Sequence, residues 1–111
     1  MKIIQEIIKV PPLSVNKVWQ GRRFKTQEYK KWEENALLTM PHYPKIKGQV
    51  LVELHFYMRY PKKGDIDNPI KPALDLLTKK KWIEDDRLIY SLIVQKEQSK
   101  EERIEVEIIK L

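Results

Sequence analysis

Two carboxylates stand two residues apart in the stretch Gly64-Asp65-Ile66-Asp67-Asn68-Pro69-Ile70-Lys71, and a second acidic pair, Asp85-Asp86, lies further along. The chain around them is basic, with 22 Lys and Arg against 16 Asp and Glu and a net charge of +6. Such a cluster is either a polar turn that caps a helix or a site that holds a cation against something negatively charged. In an extended segment side chains at i and i+2 point the same way, so Asp65 and Asp67 converge while Ile66 faces the other side. Like charges brought together repel unless a cation sits between them. Strand phase sorts the second pair. In a strand beginning near residue 86, Asp86 shares a face with Leu88, Tyr90, Leu92 and Val94, and Asp85 shares the more polar face with Arg87, Ser91 and Gln95, alongside Ile89 and Ile93. An unpaired carboxylate is costly on the apolar side, so Asp86 is the better candidate ligand.

The chemistry of these groups is that of a hard cation. There is no cysteine, and the two histidines, His42 and His55, lie outside the cluster and read as surface residues. Three carboxylates suit Mg²⁺ or Mn²⁺, which keep several waters and accept a few carboxylates plus phosphate oxygens. A calcium loop of the EF-hand type is disfavoured, because counting from Asp65 the sixth position is Ile70 and the twelfth Leu76, where that loop needs Gly and Glu. Lys71 and Asp75 lie four apart on one helix face. They form either a helix salt bridge worth a few tenths of a kcal/mol, or a lysine aimed at a phosphate in the same site.

The elements that must position these groups emerge from periodicity. Residues 2–10 read as a strand, rich in β-branched side chains and stopped by Pro11-Pro12, although Ile3, Ile4, Ile7 and Ile8 also fit a helical stripe. Residues 11–25 contain two prolines, a glycine and a basic cluster and read as a loop. A helix runs from a Thr26 cap to Met40, with Tyr29, Trp32, Ala36 and Met40 on one face. Residues 49–59 alternate as a half-buried strand with Val50, Val52, Leu54, Phe56 and Met58 inward. A second helix spans 69–80, capped by Asn68 or a neighbour, with Pro69 in its first turn and Ile70, Ala73, Leu74 and Leu77 as its apolar face. Strands over 87–96 and 103–110 form a hairpin about the turn 98–101. The order β-α-β-α-β-β predicts an α+β domain, a mixed sheet of four strands with two helices packed on it.

The 111 residues fit one domain, 1–111, whose chain buries roughly 65% of its unfolded surface. Hydrophobic residues at 41% exclude disorder, and no apolar run approaches the ~20 residues a membrane span needs. Gln5 and Glu6 interrupt the N-terminal stretch, so it does not read as a signal peptide. The lack of cysteine leaves no disulfide framework and agrees with an intracellular, cytoplasmic location. The basic balance raises the odds of a polyanionic partner.

The run from Gly64 to Leu92 resembles the signature of the RusA family of Holliday-junction resolvases. That family shows D-x-D-N-x-x-K, an L/F-D-x-L step on a helix, and a hydrophobic pair before D-D. Here these are Asp65, Asp67, Asn68 and Lys71, then Leu74-Asp75-Leu76-Leu77, then Trp82-Ile83 before Asp85-Asp86. Pro11-Pro12-Leu13-Ser14-Val15-Asn16 is similar to the family's proline-rich entry, so the resemblance covers roughly residues 8–95. It implies a small homodimer that binds four-way DNA junctions and nicks two strands symmetrically with Mg²⁺, or Mn²⁺ in its place. It places the catalytic, metal-holding acids at Asp65, Asp67 and Asp86 and the essential lysine at Lys71. Pro72 departs from the family pattern and puts the first turn of that helix in question.

DNA contacts are expected from Asn16, Arg22, Arg23, Lys25, Lys62, Lys63 and Lys71, with Lys79 to Lys81 as further basic flank. Trp19 and Phe24 read as core or interface aromatics, with stacking on opened bases as the alternative. Dimer contacts are expected from the strand at 49–59 or the one at 87–96. Two rival functions remain: a nuclease of this scaffold for other branched or single-stranded DNA, and a catalytically silent DNA-binding factor.

Overall fold

A computed structural model describes residues 3–17, 19–20 and 24–111, with the backbone alone at 19, 20 and 24. Alternation in the sequence becomes one four-stranded mixed sheet. Strand β1 (Ile3–Ile8) comes first, and β4 (Val50–Met58), β5 (Ile89–Gln98) and β6 (Arg103–Lys110) complete it in the order β1-β6-β4-β5. Neighbours pair antiparallel except β4 with β5, which run parallel, and the hairpin expected of the last two strands does not form because β4 lies between them. On the inner face Ile4, Ile8, Val50, Val52, Leu54, Phe56, Ile104, Val106 and Ile108 are buried. The intervening residues are half-exposed or exposed, so one sheet face carries the core and the other meets water. The predicted α+β class and its element order are the observed ones.

Two helices cover the inner face. Helix α1 (Gln27–Thr39) starts at Thr26, whose hydroxyl accepts from the Tyr29 amide at 3.1 Å. Tyr29, Trp32, Ala36 and Met40 are buried, as their spacing predicts. Helix α2 (Ile70–Lys79) buries Ala73, Leu74, Leu76 and Leu77. Pro72 fits because it occupies the first turn, where an amide N–H has no intrahelical acceptor to lose. The expected Asn68 cap is not used. Helix α2 begins after Pro69 without a side-chain cap, and the Ile70 amide instead donates to the Asp67 carbonyl at 3.2 Å. Asn68 is turned toward Gly64, its Nδ2 3.3 Å from where a Cβ at Gly64 would stand.

Two departures concern segments more structured than their sequence suggests. Within 11–25, expected as loop, a single 3-10 turn forms at Val15–Lys17, and two short strands, β2 (Trp19–Gln20) and β3 (Phe24–Lys25), pair antiparallel. Their aromatic residues suit an extended backbone. The strand expected from residue 87 begins at Ile89, because Asp86–Leu88 coil into a 3-10 turn.

Candidate active site

The sequence Lys80-Lys81-Trp82-Ile83 closes α2 and sets the direction of the chain beyond it. Lys81 sits in the left-handed region at φ 63°, its amide bonds to the Thr78 carbonyl at 3.1 Å, and the Trp82 amide bonds back to Leu77 at 3.0 Å. These are the two bonds of a Schellman stop, with lysine where glycine is usual. Trp82 is fully buried, donates its indole N–H to the Pro41 carbonyl at 2.9 Å and meets Tyr43 edge-on at 5.7 Å. Burying an indole of this size stabilises the fold by roughly 3 kcal/mol. Ile83, also buried, pairs with Ile46 in an isolated parallel bridge. This apolar anchor delivers Asp85 and Asp86 to a set place beside α2.

Asp85 and Asp86 then divide their roles. The Asp85 carboxylate accepts from the Arg87 amide at 3.0 Å and caps the 3-10 turn. The Asp86 carboxylate meets the Lys71 ammonium at 2.7 Å. The strand-phase argument for preferring Asp86 as a ligand fails, since neither residue lies in a strand. Lys71 also meets Asp75 at 2.8 Å, so its ammonium bridges two carboxylates, one from its own helix and one fifteen residues on. The helix salt bridge with Asp75 is formed, and the same ammonium also reaches the second acidic pair at Asp86. Bonds donated to Asp75 and Asp86 raise the Lys71 pKa above its ordinary value, with burial opposing. The bond from Lys71 holds the Asp86 carboxyl below the ordinary range against a smaller opposing effect of burial.

Asp65 and Asp67 come from the segment between β4 and α2. A 3-10 turn at Pro61–Lys63 leads into it, and the Asn68 amide closes back on the Asp65 carbonyl at 3.1 Å. The expected extended geometry is thus replaced by consecutive turns, and strand alternation does not direct the two side chains. The Asn68 carbonyl accepts from the Val15 amide at 2.8 Å, so the proline-rich entry segment is docked against this turn. Both carboxylates are exposed and have no hydrogen-bond or ion-pair partner among the described residues. Through Lys71 and the Asp67–Ile70 bond, Asp86 and Asp67 flank the same end of α2, whose dipole presents partial positive charge there.

The donor chemistry fits a hard divalent ion, as the carboxylates are oxygen ligands with neither thiolate nor imidazole among them. Their convergence is incomplete. No group of three or more His, Asp or Glu among the described residues stands close enough to hold a metal ion, and Asp86 Oδ2 is engaged by Lys71.

Of the candidate DNA contacts, Asn16, Lys62 and Lys63 are exposed, and Lys63 lies over the Tyr60 ring at 4.8 Å. Lys25 lies 4.8 Å from the Tyr29 ring. Arg22, Arg23 and the side chains of Trp19 and Phe24 lie outside the described residues. Lys79 is taken up by Glu33, and Lys80 donates to the Leu37 carbonyl at 3.2 Å, so this part of the basic run ties α2 to α1. Sequence reasoning finds the Asp75 partner of Lys71 through its four-residue spacing, but it misses Lys96, on β5, because nothing in its spacing connects it to the turn it touches.

One comparison with known proteins decides the family. The model of endodeoxyribonuclease RusA matches residues 11–109. The chain belongs to the RusA family. None of the curated proteins compared with it matches. The match takes in the entry segment, the turn with Asp65 and Asp67, Lys71 and Asp86, and so spans every element that meets at the end of α2. A RusA endodeoxyribonuclease acts on DNA. No helix is long and apolar enough to cross a membrane among the described residues.

Proposed function

We propose that this RusA-family chain is a divalent-metal-dependent endonuclease that resolves four-way DNA junctions by paired, symmetric nicks inside the cell. The observation that carries it is the Lys71–Asp86 contact at 2.7 Å, which joins the two halves of the family motif at one helix end. Asp65, Asp67 and Asp86 would hold Mg²⁺, with Mn²⁺ as its substitute. Such an ion supplies a water of lowered pKa and polarises a phosphate. The protein's own part is to hold the DNA backbone on its basic residues and to present the Lys71 ammonium to charge developing on the phosphate oxygens. Because Asp75 retains the ammonium when Asp86 turns to another ligand, Lys71 stays at the site throughout.

The active unit in this reading is a two-fold homodimer, since a junction has two equivalent scissile strands and each chain one acidic cluster. Of the two strands considered as interface, β4 lies between β6 and β5 and has no edge to offer. The edge strand β5 exposes Tyr90 (65%), Leu92 (40%) and Ile93 (41%), and a second copy along it would cover that surface. Sedimentation at micromolar concentration should give about twice the 13.4 kDa chain mass.

The test is a panel of labelled duplex, flap, single-strand and four-way substrates with Mg²⁺, Mn²⁺ or chelator. Paired nicks across the four-way junction, lost with chelator, are expected. Cleavage of flaps with the junction left intact would overturn the junction reading and keep the nuclease. A folded protein that cuts nothing with either metal would overturn both.

A further inference from the structure

The Lys96 ammonium donates to two backbone carbonyls of the turn before Asp65, Pro61 at 2.7 Å and Gly64 at 2.9 Å. Lys96 stands on β5, opposite Phe56 of β4, and is only half-exposed. An unpaired lysine head prefers water, so an ammonium drawn onto two carbonyls of one turn is a specific tie. Its second acceptor matters most. The Gly64 carbonyl belongs to the peptide plane that also contains the Asp65 nitrogen and Cα, so a bond to that oxygen fixes where Asp65 begins. The downstream side is held as well, by the Asn68 amide on the Asp65 carbonyl and the Val15 amide on the Asn68 carbonyl. Gly64 itself has no side chain to hold the turn, and a Cβ there would crowd Asn68.

We propose that Lys96 is a positioning residue for Asp65, clamping the Gly64–Asp65 peptide so that this carboxylate is preset for its ligand. The inference rests on the metal-nuclease reading. Lys96 does not touch the DNA or the ion in this role. It acts through the backbone of the turn.

Lys96→Met keeps the side-chain stem and removes all three donors, while Lys96→Arg keeps donors of similar reach. Amide hydrogen exchange of the metal-free protein should show faster exchange at Asp65–Asn68 in the methionine variant, with the helix α1 amides unchanged. Titration with Mn²⁺, read by electron paramagnetic resonance, should show affinity weakened roughly tenfold, the usual size of a loss in ligand support. Junction affinity in chelator should stay within about twofold, because no phosphate contact is lost. Lys96→Arg should restore both exchange and Mn²⁺ affinity. Unchanged exchange in Lys96→Met would overturn the clamp whether or not the protein proves to be a nuclease. Unchanged Mn²⁺ affinity with weakened junction binding would overturn it in favour of a phosphate contact. Failure of the wild type to cut any substrate would count against the proposed function alone, since the exchange measurement needs no activity.

Discussion

Lys71→Met separates the two roles that one ammonium fills. The substitution removes contacts of 2.8 Å to Asp75 and 2.7 Å to Asp86 and leaves two carboxylates facing each other. The Lys71 side chain is 56% exposed, so water screens both pairs, and each is worth less than about 1 kcal/mol. The expected loss of stability is therefore about 1 kcal/mol, a fall in Tm of roughly 4 °C for a domain of this size. Catalysis should respond on a different scale. Removing a group that stabilises charge only in the transition state costs on the order of a hundredfold or more in rate. Urea unfolding followed by circular dichroism gives the first number, and single-turnover nicking of a four-way junction at saturating Mg²⁺ gives the second. Nicking reduced by less than about fivefold, the factor that 1 kcal/mol represents, would make Lys71 a helix salt bridge and refute its catalytic role.

Asp86→Asn should abolish cleavage while leaving junction binding intact or improved, because it removes a candidate ligand and a negative charge facing the phosphates; Asp85→Asn keeps a side-chain oxygen to accept from the Arg87 amide, so it should leave stability nearly unchanged and cut far better. Equal activity losses in the two would show that the acids are not divided as the geometry divides them. The Asp86 carboxyl is held down in the folded state, so its contribution to stability is full above the ordinary carboxylate pKa and fades as pH falls through the depressed value. Urea melts of wild type and Asp86→Asn should accordingly differ near neutrality and converge in strong acid, and a difference that grew on acidification would contradict the sign. Lys81→Gly should stabilise the fold by about 0.5–1 kcal/mol, since it relieves a left-handed residue at the end of α2, and a lower Tm would refute the strain.

How much of this is legible in the sequence depends on the distance over which each feature is decided. The buried faces of α1 and β4 are readable because period and burial are local, and Tyr29, Trp32 and Ala36, like Val50 to Phe56, are buried as spaced. The Thr26 cap is readable for the same reason. The turn at 65–68 and the 3-10 turn at 86–88 are not, because hydrogen bonds from Asn68 and Asp85 compete with an extended backbone and leave no mark on hydrophobic spacing. Pro72 shows the converse. In the sequence it resembles a defect, and in the fold it stands at the helix start, where proline costs nothing.

The site itself is legible as a set of residue types and illegible as an arrangement. Asp65, Asp67, Lys71 and Asp86 can be chosen by chemistry and resemblance, but the fold assembles them through contacts that a motif does not state. The buried Trp82-Ile83 pair sets Asp86, Asp75 holds Lys71, the Val15 amide holds Asn68, and Lys96 reaches the turn from a strand thirty-two residues further along. Apart from the four-residue pair of Lys71 with Asp75, each of these ties is long-range or made to backbone, so composition and spacing cannot announce it. The arrangement they produce also explains how two exposed carboxylates persist with no partner among the described residues. Their positions are held by the backbone of the turn, so the carboxylates need spend no hydrogen bond on holding the fold together. Asp86, in contrast, is neutralised by Lys71 and must exchange that contact to bind anything else. A divalent ion arriving at this end of α2 would therefore compete with an ammonium at Asp86, and Asp75 offers the displaced ammonium a place to remain.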